Sequence, residues 1–258
     1  MPTASRPLLV NAICLYVAAF LATIITHEVA HAVVSAGLGG RPILYNTYVT
    51  NTNKNLSGLA QGLVAAAGPL WSLVQGMGLL GWARRSQARG LGGLLGLFAS
   101  VFGIINFFGY LMIAPLVPGG DTGQLVALLH VPAWGQWAGA VAAALVLLWV
   151  IAGTGPLFRR LVPAEALPAL AAMRSLLLWP WLVGSAVLVA LVLPVPYPSI
   201  VANLVMSPMV LGRAFRTGMQ AAAGPAGDSG LLHWQWWPVL AALFGAVGFW
   251  LLGQGVAL

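Results

Sequence analysis

The chain has 258 residues, 60% of them hydrophobic and 6% charged, with a mean hydropathy of +0.93. Soluble domains carry about 25% charged residues, so a large water-soluble domain is excluded and a polytopic membrane protein is expected. The formal charge of +7 comes from arginines in short inter-helix segments, the pattern of cytoplasmic loops, and no nucleic-acid partner is expected.

In chain order, hydropathy predicts a first helix over about 8–37. At 1.5 Å per residue its apolar run, Leu8 to Ala36, measures about 43 Å, enough to cross a bilayer core of about 30 Å. Arg6 ahead of this run mimics a signal peptide, but the run is too long for one. Cys14 packs within it, and as the single cysteine it excludes an internal disulfide and a cysteine-based zinc site. The polar segment Gly39 to Ser57 holds the β-branched and aromatic run ILYNTYVT (Ile43 to Thr50) and the turn-like NTNKN (Asn51 to Asn55). A short strand or hairpin near residues 43–55 is therefore expected beside the bundle.

A second helix is predicted over about 58–82, ending before Arg84, Arg85 and Arg89, and a third over about 91–113. The Pro/Gly break PLVPGGD (Pro115 to Asp121) leads into a short helical piece reaching about His130. A fourth helix follows over about 133–152, then a loop with Arg159, Arg160 and Glu165, and a fifth helix over about 173–193. Residues 199–216 are expected to form a further span or an interfacial helix, 217–233 a Gly-rich loop, and about 235–252 the last helix. HWQWW (His233 to Trp237) reads as an interfacial aromatic anchor. AAAGP occurs at Ala65 to Pro69 and again at Ala221 to Pro225 without wider self-similarity, so no repeat is assigned. The expected fold class is an all-α polytopic membrane bundle of six to seven transmembrane helices with one short β segment.

The chemistry concentrates in the first helix. His27, Glu28 and His31 form HEVAH, in a chain with only four acidic residues and four histidines. Ionisable groups at membrane depth are costly and usually functional. Residues i and i+4 share a helix face, so His27 and His31 offer two imidazoles to one metal ion. Glu28, rotated by about 100°, borders the metal without ligating it and suits the role of general base. Catalytic zinc takes three protein ligands and an open position. The third ligand is sought among Asp121, His130, His233, Glu165 and Asp228. Asp121 is favoured because it sits at an irregular Pro/Gly break, where backbone can line a wet cavity. Its competing role is N-cap of the following short helix, and His130 is the runner-up.

HEVAH in one membrane helix, Ala67-Gly-Pro-Leu70 in the next and the PLVPGGD break after a third resemble the site-2 protease family of intramembrane zinc metalloproteases. The resemblance covers about residues 8–130 and divides the chain into a three-helix metalloprotease core, 1–130, and accessory transmembrane helices, 131–258. Ser72 stands where the family has asparagine after Gly-Pro-Leu-x, and Thr122 and Gly123 follow Asp121 where the family has Gly-Gly. Asn106 is the only asparagine of helix three and lies further from Asp121 than the family spacing.

The resemblance implies an integral, multi-pass enzyme, expected in a bacterial inner membrane, that cleaves a peptide bond in or near a substrate transmembrane helix. One Zn2+ per chain would be held by His27, His31 and Asp121, with Glu28 as base. Tyr45, Thr47, Ser72 and Asn106 are the expected substrate-contacting residues, and the extended segment 43–50 is expected to pair with unwound substrate. Gly68 and Pro69 are expected to loosen helix two. The expected partners are a membrane-protein substrate helix and the lipid bilayer. Charge bias puts Arg6, Arg84, Arg85, Arg89, Arg159, Arg160, Arg174, Arg213 and Arg216 on one side, against Arg41 and Lys54. It places the amino terminus in the cytoplasm, whereas bacterial relatives commonly turn the loop after HExxH to that side. The alternatives are a non-proteolytic membrane carrier of metal ions or protons, and a catalytically inactive scaffold of the same fold.

Overall fold

The computed structural model describes residues 5–53, 55–86, 89–192, 211–225 and 230–258. The apolar runs become helices α1 (Ser5–Gly37), α2 (Gly58–Arg85), α3 (Gly90–Ile113), α4 (Asp121–Leu128), α5 (Ala133–Ala152) and α6 (Gly155–Arg159). A further helix long and apolar enough to cross a membrane, Ala169–Leu191, starts as α7 (Ala169–Met173), passes through two π-helical turns, Arg174–Leu178 and Pro180–Gly184, and continues as α8 (Ser185–Val192). Residues 211–219 are helical (α9), and α10 (Trp237–Leu252) is the last helix. Among the described residues, five helices are long and apolar enough to cross a membrane, and α10 is a shorter apolar helix of 16 residues. The stretch 199–210, expected to open a further span, lies outside the described residues, as do Lys54 and Asp228.

The helix limits follow local chemistry. Ser57 caps α2 by accepting the Ala60 N–H at 3.2 Å. The helix then runs unbroken through Pro69 to Arg85, against the expectation of a loosened segment. Proline forfeits one hydrogen bond to the residue four back, and tight packing on α1 and α3 holds the helix together around that gap. The span after α6 starts at Ala169, four residues ahead of the expected start.

The core lies where α1, α2 and α3 meet. Tyr16 and Phe20 of α1 pack edge-on against Phe98 and Phe102 of α3, with ring centroids 4.8 to 5.5 Å apart. Helices α2 and α3 cross backbone to backbone. A Cβ on Gly103 would stand 2.6 Å from the Ser72 carbonyl oxygen, and one on Gly76 2.7 Å from the Ile104 nitrogen. In lipid, where no hydrophobic force drives helices together, such small-residue contacts supply the packing. Helix α5 covers α3, and α10 lies along α1.

The expected β segment is a hairpin of β1 (Pro42–Leu44) and β2 (Val49–Asn51), joined by β3 (Val256–Ala257) in the order β2-β1-β3. Its base is tied to α1. Asn51 Oδ1 accepts the Arg41 N–H at 2.8 Å, and Asn51 Nδ2 donates to Ser35 Oγ at 3.1 Å.

Candidate metal centre

One face of α2 builds half of the site. Val64, Gly68, Ser72 and Gly76 recur every fourth residue and therefore share one side of the helix. Gly76 makes the crossing with α3, and each turn above it meets HEVAH of α1. His31 Nδ1 donates to the Val64 carbonyl at 2.6 Å. Gly68 faces both imidazoles, and a Cβ there would lie 2.6 Å from His27 Nε2 and also overlap His31 Nε2. Ser72 Oγ lies 3.0 Å from His27 Nδ1. From α3, the Asn106 amide nitrogen lies 2.9 Å from both Ser72 Oγ and His27 Nδ1. Tyr110, one turn on, stacks on the His27 ring at a centroid distance of 5.2 Å and 9° between planes.

Asp121 reaches the site from α4. The helix is capped by Gly120, and Asp121 is its first residue, so its carboxylate is released from the capping role. Thr122 Oγ1 donates to the Tyr110 carbonyl and ties α4 to the end of α3. At Gly123 a Cβ would stand 2.7 Å from the Pro118 carbonyl oxygen and would also overlap that of Val117, so glycine alone lets the PLVPGGD turn fold back this closely.

His27 Nε2, His31 Nε2 and Asp121 Oδ2 form a nearly equilateral triangle, with edges of 3.1, 3.1 and 3.2 Å. Tetrahedral zinc bound at about 2.0–2.1 Å holds its donors roughly 3.3 Å apart. The triangle is the edge pattern of such a coordination sphere, and this is the group of His, Cys, Asp or Glu able to hold a metal among the described residues. Each imidazole also has a partner at Nδ1, as ligating histidines require to fix ring and tautomer. The residues therefore fit a zinc ion.

The triangle opens into a cavity of about 450 Å³. Glu28, His31 and Asp121 line one side of it, Tyr110 another, and Thr47, Val49 and Asn51 of the hairpin the third. The β2 edge facing it follows a parity rule. Tyr45 N–H donates to Tyr48 O at 2.9 Å, and Thr52 N–H to Arg41 O at 3.0 Å, which makes Tyr48, Thr50 and Thr52 the residues bonded to β1. Val49 and Asn51 alternate with them, so their backbone groups point away from β1. Val49 and Asn51 line the cavity, as does Tyr48 at the turn, and Thr50 does not. The outer edge of β1 is taken by β3, and Leu258 N–H donates to Pro42 O at 3.1 Å.

The remaining sequence candidates are placed as follows. Thr47 lines the cavity. Tyr45 stacks on Tyr48 at 4.4 Å and touches Gly255. Ser72 and Asn106, expected at the substrate, are buried behind His27 and do not line the cavity. His130 occupies an exposed turn at φ 52° after α4. The His233 carbonyl accepts from Asn11 Nδ2 at 2.9 Å, near the start of α1, and Glu165 is exposed beyond α6. The sequence reading missed Gly68 as the point of closest approach, the Val64 carbonyl and Tyr110. The spacing of Gly68, Ser72 and Gly76 carried a signal, small residues every fourth position. A backbone carbonyl partner leaves none.

Comparison with protein-family models, with curated proteins and with solved structures gave no match.

Proposed function

We propose that this chain is an intramembrane zinc metalloendopeptidase of the site-2 protease type. The observation that carries this reading is the donor triangle of His27, His31 and Asp121 opening beside Glu28 into a cavity bounded by a strand edge. Zinc in the triangle would acidify a bound water to a pKa of about 7 and polarise a carbonyl oxygen. Glu28, next to His27 on α1, takes the proton of the attacking water and delivers it to the leaving amine. Ser72 and Asn106 hold the His27 ring. With Nε2 used for the metal, His27 Nδ1 carries the proton and donates it to Ser72 Oγ, 3.0 Å away, which the Asn106 amide holds by donating to the same oxygen.

A helical substrate hides its carbonyls in i to i+4 hydrogen bonds, so the scissile segment must be extended before attack. The outward N–H and C=O groups of Val49 and Asn51 suit pairing with such a segment, since strand addition supplies the hydrogen bonds that unwinding removes. Charge bias, nine arginines on one side against Arg41 and Lys54, supports a cytoplasmic amino terminus.

The test uses purified full-length chain in liposomes with a tagged single-span model peptide carrying helix-breaking residues in its apolar stretch. The expected result is one zinc per chain, peptide cleavage lost on chelation and restored by zinc, and a fall of about 100-fold or more in kcat for Glu28→Gln with zinc retained. Full activity in that variant refutes the assigned base. Bound zinc without cleavage supports an inactive scaffold instead, and metal flux without peptide product supports a carrier.

A further inference from the structure

At the end of the bundle opposite the hairpin lies a second cavity, of about 410 Å³. It has a divided lining. Ala83 of α2, Leu97 of α3 and Leu157 of α6 form an apolar floor, and Arg89 and Arg160 supply positive charge. Ala83 and Leu97 are buried core residues, so the floor reaches into the bundle. The wall at 223–225 is held in place: Pro163 and Gly224 form a parallel bridge, and Gly224 N–H donates to Val162 O at 3.1 Å. The Gly224 backbone is pressed so close to the Arg160 carbonyl that a Cβ would overlap it.

Among the described residues, no salt bridge engages Arg89 or Arg160. The ion pairs among the described residues are those of Asp121 with His27 and His31, at the other end of α2. The height of the cavity is set by the span limits. Ala83 lies in the last turn of α2, Arg89 directly precedes α3, and the neighbouring Trp82 is exposed as interfacial tryptophans are. That level is where phospholipid headgroups sit. A basic mouth over an apolar floor fits an amphiphile with an anionic phosphate and an acyl chain.

We infer that this cavity is a binding site for one anionic phospholipid, its phosphate between Arg89 and Arg160 and its acyl chain against Ala83, Leu97 and Leu157. Juxtamembrane basic residues and basic pockets between membrane helices recognise such headgroups. The site is independent of the metal centre and of the proteolytic reading.

The test is native mass spectrometry of the full chain in detergent, titrated with phosphatidylglycerol or with phosphatidylcholine, for wild type, Arg89→Ala/Arg160→Ala and the charge-matched Arg85→Ala/Arg174→Ala. Wild type is expected to retain one phosphatidylglycerol per chain at concentrations at least ten-fold below those needed for phosphatidylcholine. The cavity variant should lose affinity by roughly 30-fold, about five-fold for each arginine, and the charge-matched variant by less than two-fold. Equal loss in both variants, or no preference for phosphatidylglycerol in wild type, overturns the proposal. A parallel arm adds inorganic phosphate at millimolar concentration. Displacement of the lipid by phosphate alone overturns the lipid assignment in favour of a small-anion site, and retention of the lipid supports it.

Discussion

A Cβ placed on Gly68 would stand 2.6 Å from Nε2 of His27, the atom that faces Asp121. Helix α2 thus roofs the donor triangle with bare backbone, and any larger residue there takes the volume the metal needs. Gly68→Ala is expected to lower zinc occupancy by more than ten-fold, in line with the sensitivity of ligand orientation. Far-ultraviolet circular dichroism should be unchanged, because alanine favours helix. Metal analysis of the purified variant checks it, and full zinc content would show that the roof is not in contact with the ion.

Asp121 contributes one oxygen to a triangle whose other corners lie 90 and 94 positions away in the chain. Asp121→Ala removes one of three donors, so it is expected to cut zinc stoichiometry from about one per chain to a small fraction at micromolar zinc. His130→Ala, by contrast, should leave stoichiometry unchanged. Zinc retention in Asp121→Ala with loss in His130→Ala would move the third ligand to the exposed turn after α4.

Asn106 and Ser72 both lie within hydrogen-bond distance of His27 Nδ1 and would act through it on a metal bound at Nε2. Asn106→Leu is expected to weaken zinc binding by about 10–100-fold, the usual cost of losing such a partner. Asn106→Asp should restore most of that affinity, because a carboxylate at this position can accept the Nδ1 proton. Competition with a zinc chelator measures both. Equal weakening by leucine and aspartate would mean that Asn106 only packs.

The β2 edge separates two neighbouring positions. Proline at residue 49 removes an N–H that points away from β1, whereas proline at residue 50 removes one that bonds to β1. Val49→Pro is expected to lower kcat/KM for the model peptide by about 2–10-fold, the worth of one hydrogen bond, with zinc binding intact. Thr50→Pro should disrupt the hairpin itself, seen as faster amide exchange at Ile43 and Tyr45. Unaltered cleavage in Val49→Pro would remove strand pairing from the mechanism.

Most of the local architecture was legible in the sequence, because it rests on short-range rules. HEVAH puts two imidazoles on one helix face wherever the helix goes, and the limits of α2, α3 and α5 follow from runs of apolar residues ended by arginine, glycine and proline. The hairpin showed in its β-branched and aromatic run, but its turn lies at 45–48, inside that run, and the Asn-rich stretch expected to turn follows β2. Long-range relations could not be read this way. Nothing in a periodicity says that Asp121 meets His27, that Val256 and Ala257 close the outer edge of β1, or that Ser72 and Asn106 meet behind an imidazole and not in the cavity. Those were decided by the crossing of α2 and α3 at Gly76 and Gly103, which fixes the level at which every side chain on the two helices meets α1. A helix face is a property of a few successive residues, whereas a coordination triangle depends on how three separate backbones dock.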